Sequence, residues 1–218
     1  MPMLVNESLT LGKYLFSVLQ KSSNRSVLNI GSSTLEYRTH SQPYIQNKVF
    51  GPVEENLGAT VIHCDAKAES GADVIIDLLS SEAVSTLAGF NAHVFVVSNL
   101  LEHVESVGAA VHQLEMIIPT GAYLVASGPK NFPYHPDPID NMFRPGRRQV
   151  ESLFGNFNLL EWGEAKHRTL ATSVFESRRG AANWVLQEVA SASPSKKIST
   201  LIRSLSPVSS WCALMQKR

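Results

Sequence analysis

Cysteine is scarce: the 218 residues hold two, Cys64 and Cys212. Neither belongs to a C-x-x-C pair, and His63-Cys64 has no partner pair at zinc spacing, so neither a structural zinc site nor a disulfide framework organises the chain. A single Cys64–Cys212 bridge stays open, although reduced thiols and a cytoplasmic setting suit two isolated cysteines better. Net charge is absent as well, with 19 lysines and arginines against 19 aspartates and glutamates. That balance gives no global attraction to nucleic acid, and the interleaved basic and aromatic residues of a nucleic-acid groove are missing. No apolar run reaches the roughly 18 residues that a membrane-spanning helix needs. The start, MPMLVNESLTLGKYLF, lacks a basic segment followed by a long apolar stretch, so no secretory signal is expected. Internal repeats, a GxxxxGK[ST] phosphate loop, a GxSxG nucleophile turn and a G-x-G-x-x-G dinucleotide turn are all missing.

Apolar residues are present in quantity. They make up 44% of the chain against 17% charged, enough for the core of one large domain or a domain with an appendage. Charge is unevenly spread. Residues 193–218 carry Lys196, Lys197, Arg203, Lys217 and Arg218 and no acid, so residues 1–192 are net acidic. This predicts a domain over 1–192 and a basic, Ser-rich extension over 193–218. In the extension, Ile198, Leu201, Ile202 and Leu205 form one helical stripe. Packing on the domain is the first reading of that stripe; a weak membrane-surface or partner contact, or a loose tail, are the others.

Short apolar runs rich in β-branched residues recur at 27–30, 60–64, 72–76, 93–97 and 123–126, each ending in a polar or glycine turn. They read as buried strands of a parallel sheet. Between them, Val107, Val111, Leu114 and Ile118 make one helical face that stops at Pro119-Thr120-Gly121, and 80–90 reads as another helix capped by Ser80 or Ser81. Late in the chain, 157–162 and 169–175 read as a hairpin that adds an antiparallel edge, followed by a helix over 181–192. The expected fold is an α/β Rossmann-like three-layer sandwich, with a mostly parallel seven-stranded sheet and one antiparallel edge strand.

In such a sheet, ligands bind beyond the carboxyl ends of the strands. The residues at those ends are Gly31-Ser32-Ser33-Thr34, Asp65, Asp77 and Ser98-Asn99. A glycine there lets backbone approach a ligand, an acid accepts from ribose hydroxyls, and a polar residue meets an adenine amino group. Each also has a plain reading as a turn or cap residue.

The succession VLNIGSS, VIHCDAK, DVIIDLL, VFVVSNLLEHV and IIPTGAYLVAS resembles the class I S-adenosylmethionine-dependent methyltransferases across roughly residues 25–176. FPYHPDPIDNMFRP resembles, more loosely, a loop of methyltransferases from bacterial surface-saccharide clusters. The resemblance implies S-adenosyl-L-methionine as cofactor and methyl transfer to a small-molecule or saccharide-like acceptor, at oxygen. It places Gly31, Ser32 and Ser33 at the methionine part, Asp65 at the ribose, Asp77 with Leu78 at the adenine, and Ser98 and Asn99 near the reacting sulfur. Two features depart from the family. Two glycines of its G-x-G-x-G turn are serine and leucine here, and a serine at positive φ is strained. The interval from Gly31 to Asp65 is long; the insert near YRTHSQPYIQNKVFGP either covers the cofactor or shifts the acid.

Methyl transfer to oxygen wants a base, and His103 and His135 are the candidates. Tyr134, Asp137, Asp140 and Arg144 in the proline-rich loop are candidate acceptor contacts, with a rigid surface loop as the plain alternative. Phe132, Phe143 and Tyr37 are candidate pocket aromatics. His135, Asp137 and Asp140 make a loose divalent-metal set, but no further ligand falls at telling spacing and no metal is expected. The glycine-poor turn also supports a second function, a catalytically inactive methyltransferase-like module for binding or scaffolding.

Overall fold

The computed structural model describes residues 3–68, 71–135, 139–167 and 206–218. Alternation of side chains along the strands divides its core in two. On one face Val27, Val94, Val96, Val125, Cys212 and Leu214 pack against Leu11, Leu15 and Leu19 of helix α1 (Val5–Leu19) and Val53 of α2 (Gly51–Leu57). On the other face lie Leu28, Ile30, Phe95, Val97, Leu124, Ala126, Trp211, Ala213 and Met215. They meet α3 (Ala83–Ala88), α4 (Val107–Ile117) and α5 (Arg147–Leu153) through Leu87, Val111, Leu114 and Val150. Strands covered on both faces account for the continuous apolar runs of the sequence.

Among the described residues there are seven strands, β1 (Ser26–Ile30), β2 (Thr60–Asp65), β3 (Val74–Ile75), β4 (Val94–Ser98), β5 (Tyr123–Asn131), β6 (Phe157–His167) and β7 (Val208–Lys217). They form one sheet in the order β3-β2-β1-β4-β5-β7-β6. The first five strands run parallel, with Ile30 opposite both Cys64 and Val97. β7 is antiparallel to β5 and to β6. The three-layer α/β fold expected from the sequence is the observed one.

Three expectations change. The boundary after residue 192 cuts through the sheet, because Val208–Lys217 is a buried strand between β5 and β6 rather than part of a tail. Its basic end masked the strand; Val208-Ser-Ser-Trp-Cys-Ala-Leu-Met is buried on both faces. The antiparallel partner of β6 is therefore β7. The expected strand at 169–175, the helix at 181–192 and the stripe from Ile198 to Leu205 lie outside the described residues. Finally, α3 starts at Ala83 behind Glu82, with no side-chain cap from Ser80 or Ser81, whereas Ser106 does cap α4 by accepting from the Ala109 amide. Both cysteines are free and buried.

Candidate functional site

β1 lies at the point where the chain's crossovers change direction, with β2 on one side and β4 on the other. The loops leaving adjacent strands there diverge and open a crevice. Its volume is about 640 Å³, within the range of small-molecule sites. Gly31, Ser32, Ser33, Asp65, Asp77, Leu78, Ser98, Asn99 and His103 all line it. The long interval between Gly31 and Asp65 is explained. Asp65 ends β2, in parallel register with β1, so the acid is not shifted. The insert forms two π-helical turns, Tyr37–Ser41 and Gln46–Phe50, and sends Tyr37, Ile45 and Phe50 into the crevice wall.

The turn after β1 is built on its own hydrogen bonds. The Gly31 and Ser32 amides both donate to the Cys64 carbonyl at 2.9 Å. Gly31 has φ +73°, and a Cβ there would stand 2.8 Å from Leu100 Cδ1. Glycine is required twice, by backbone conformation and by the approach of Leu100. The strain expected at serine falls on Ser33, at φ +59°. Two short bonds hold it: the Ser33 amide donates to Asp65 Oδ2 at 2.7 Å, and Arg38 Nη1 donates to the Ser33 carbonyl at 2.6 Å. Arg38 is 2% exposed and also reaches the Ser32 carbonyl and hydroxyl, each at 3.1 Å. Asp65 Oδ1 accepts from the Lys67 amide at 3.0 Å. A carboxylate has about four acceptor positions, and the described residues take two of those on Asp65.

At the end of β4 the chain turns through Asn99 at φ +49°. Beneath it is Glu7 of α1, which is fully buried. Glu7 Oε1 accepts from Asn99 Nδ2 at 2.8 Å and Ser127 Oγ at 2.7 Å; Oε2 accepts from Ser210 Oγ at 2.7 Å and the Leu4 amide at 3.1 Å. Burial pushes its carboxyl above the ordinary range, against the pull of those donors. One acid thereby ties the first helix to the end of β4, the middle of β5 and the start of β7. Asn99 Oδ1 is buried with no donor among the described residues.

Beyond Leu100 a single 3-10 turn, Leu101–His103, carries Glu102 and His103. His103 Nδ1 lies 2.6 Å from the Ile139 carbonyl, an acceptor only, so Nδ1 bears the proton and Nε2 the lone pair. Asn141 clamps this turn by donating to the Leu101 and Val104 carbonyls at 2.8 and 2.7 Å. Glu102 is fully buried, and burial pushes its carboxyl up to about 8. His135 stacks edge-on to His103 with ring centroids 5.3 Å apart.

The remaining predicted residues stand elsewhere. His135 is 7% exposed, is not among the crevice-lining residues, and is pushed down to about 4, chiefly by burial. It is a neutral ring behind His103 rather than a group open to solvent. Asp140 and Arg144 satisfy each other at 2.7 Å. Burial raises Asp140, but Arg144 and the His135 and Met142 amides outweigh it and hold the carboxyl near 2. The pair braces the loop instead of facing the crevice. Tyr134 is exposed on the surface, Phe132 packs against His135, and of the four aromatics only Tyr37 lines the crevice. Asp137 lies outside the described residues. Glu7 and Arg38 carried no sequence signal. Glu102 did, as the acid of the segment SNLLEHV, but its burial was not legible.

By sequence, no protein-family model matches the chain and no curated protein does. By structure, many solved proteins resemble it, among them three at low identity. The [4+2]-cyclase SpnF is 11% identical with a TM-score of 0.58, over 95% of this chain and 80% of that one. Coclaurine N-methyltransferase bound to N-methylheliamine and SAH is also 11% identical with a TM-score of 0.58, over 97% of this chain and 73% of that one. The MccD protein is 12% identical with a TM-score of 0.52, over 97% of both chains. The chain thus shares the Rossmann-like fold of solved methyltransferases, a fold that also carries a cyclase.

Proposed function

We propose that this crevice binds S-adenosyl-L-methionine and that the protein transfers its methyl group to a small hydroxyl-bearing acceptor, of which a saccharide-like molecule is one form. The observation that carries the reading is the convergence of Gly31–Ser33, Asp65, Asp77–Leu78 and Ser98–Asn99 on one crevice of suitable volume. The residues fit the cofactor: a Cβ at Gly31 would close the cradle, the described residues leave acceptor positions on Asp65, and Asn99 Oδ1 is a buried acceptor without a donor among them. Solved coclaurine N-methyltransferase with SAH supports a cofactor of this type on this fold.

Asp65 would take the ribose hydroxyls, Leu78 and Asp77 the adenine, and the Gly31–Ser33 turn the methionine part. When bound, the cofactor supplies an activated methyl on a sulfonium. The chain's own contribution is alignment and exclusion of water, which Tyr37, Ile45, Phe50 and Leu100 provide from the walls. The proton of an acceptor hydroxyl passes to His103 Nε2, the ring nitrogen left basic by the Nδ1–H bond to Ile139.

The glycine-poor turn favours a second reading, a module that binds the cofactor without turnover. The test is calorimetric titration with S-adenosylhomocysteine, followed by assays of a panel of hydroxylated acceptors. Binding of one ligand per chain is expected. Folded protein that binds none at millimolar ligand overturns the proposal; binding with no transfer across the panel favours the module.

A further inference from the structure

We propose that Glu102, His103 and His135 form a binding site for one divalent transition-metal cation in the wall of the crevice. The sequence offered His135 only with Asp137 and Asp140, because Glu102 and His103 adjoin on one turn while His135 comes from a loop more than thirty residues on. The fold brings them together: one ligand atom from each of the three lies within 4.8 Å of the others.

The donor atoms are arranged as a cation requires. His135 Nδ1 lies 3.0 Å from the Pro133 carbonyl, so Nδ1 bears the proton and Nε2 the lone pair. His135 Nε2 is buried and has no hydrogen-bond partner among the described residues. His103 has the same polarity, fixed by the Ile139 carbonyl. Backbone acceptors behind both rings hold them in the tautomer and orientation that a metal ligand needs. The third donor is Glu102, fully buried, neither of whose oxygens has a hydrogen-bond partner among the described residues. A buried carboxylate without donors is costly, and a divalent cation between it and two imidazoles removes that cost.

The present spacing is somewhat open. Glu102 Oε1 stands 3.8 Å from His103 Nε2. Ligands about 2.0–2.2 Å from a common ion are roughly 3.3 Å apart in tetrahedral geometry, a closure within side-chain reach. Two imidazoles and one carboxylate suit zinc or another first-row divalent ion and leave coordination positions open. His103 lines the crevice, so an open position adjoins the space where an acceptor would sit. Resting on the methyl-transfer reading, such an ion would hold the acceptor oxygen and lower the pKa of its hydroxyl, whose proton would pass to solvent water instead of to His103, since one nitrogen lone pair cannot serve both purposes.

The test uses the full chain, stripped with EDTA and titrated with Zn²⁺ by calorimetry and with Co²⁺ by visible absorption. One cation per chain, with the absorption of a nitrogen- and oxygen-ligated Co²⁺, is expected. E102Q and H135Q should each weaken binding by more than about tenfold, while H112Q, at an exposed position of α4, should not. E102Q is isosteric with the neutral carboxyl that burial favours in the metal-free protein, so it should fold about as stably as the metal-free wild type. Zn²⁺ should also raise the wild-type melting temperature in proportion to its saturation. Absence of stoichiometric binding, a melting temperature indifferent to Zn²⁺, or binding unchanged in both variants would overturn the site. Titrating the same stripped protein with S-adenosylhomocysteine separates the two proposals, because cofactor binding needs none of the three ligands.

Discussion

Replacing Gly31 with alanine tests how the crevice is shaped. The left-handed backbone at φ +73° costs an L-residue about 1–2 kcal/mol. The new Cβ would stand 2.8 Å from Leu100 Cδ1, too close, so the leucine must move. Overpacking of this kind costs about 1–3 kcal/mol, and a half-buried, flexible leucine belongs at the low end. The sum is about 2–3 kcal/mol. Gly58, at φ +64° with nothing within 4 Å of its Cβ, isolates the backbone part, so G58A should lose only about 1–2 kcal/mol. Urea unfolding of G31A, G58A, L100A and the G31A/L100A double variant reads both parts. A coupling of about 1 kcal/mol between positions 31 and 100 is expected. Leu100 lines the crevice, so G31A should also bind S-adenosylhomocysteine more weakly than G58A. If G31A costs no more than G58A, or if positions 31 and 100 prove additive, the contact does not shape the site.

D65A should weaken S-adenosylhomocysteine binding by roughly 1–3 kcal/mol in calorimetry, and should also destabilise the ligand-free protein, because the Ser33 and Lys67 amides lose their acceptor. E7A should cost roughly 2–4 kcal/mol of unfolding free energy by leaving Asn99, Ser127 and Ser210 without their common acceptor, and E7Q less. Because Glu7 is raised in the fold, its contribution is full below about pH 4.5 and declines as pH rises through the folded-state value; E7Q should flatten that slope. His63 is held down to about 4 by burial and by Arg38 nearby, so its contribution is full above about pH 6.5 and is lost as pH falls toward 4. H63Q keeps an acceptor for Asn29 Nδ2 and should remove roughly 1–2 kcal/mol of acid sensitivity, measured by denaturation across that range.

The central strands were legible because both of their faces are covered, which leaves uninterrupted β-branched runs such as Val94-Phe95-Val96-Val97. The crevice residues were legible for a related reason: in a parallel sheet, each residue that ends a strand sits at the same edge. β7 was hidden by its company, a buried strand closing on Gln216-Lys217-Arg218 after a basic, serine-rich stretch. Glu7 was illegible because its partners lie far along the chain, Ser210 among them, and Arg38 because its bonds go to the carbonyls of the Ser32-Ser33 turn, which no side-chain pattern marks. In the loop from Phe132 to Arg144, Asp140 and Arg144 were read as ligand contacts or as members of a rigid surface loop, and the fold pairs them with each other. His135 was singled out as a candidate base, and nothing in a linear sequence could show it standing against His103 and Glu102.

The most direct measurement is a crystal structure of the protein grown with saturating S-adenosylhomocysteine. The account predicts the ligand in the crevice between β1 and β4, with both ribose hydroxyls on the Asp65 carboxylate, the adenine against Leu78, and the thioether sulfur over Ser98–Asn99. Density for the ligand at another surface, or an Asp65 carboxylate making only its bonds to Ser33 and Lys67 while the crevice holds water, would contradict it.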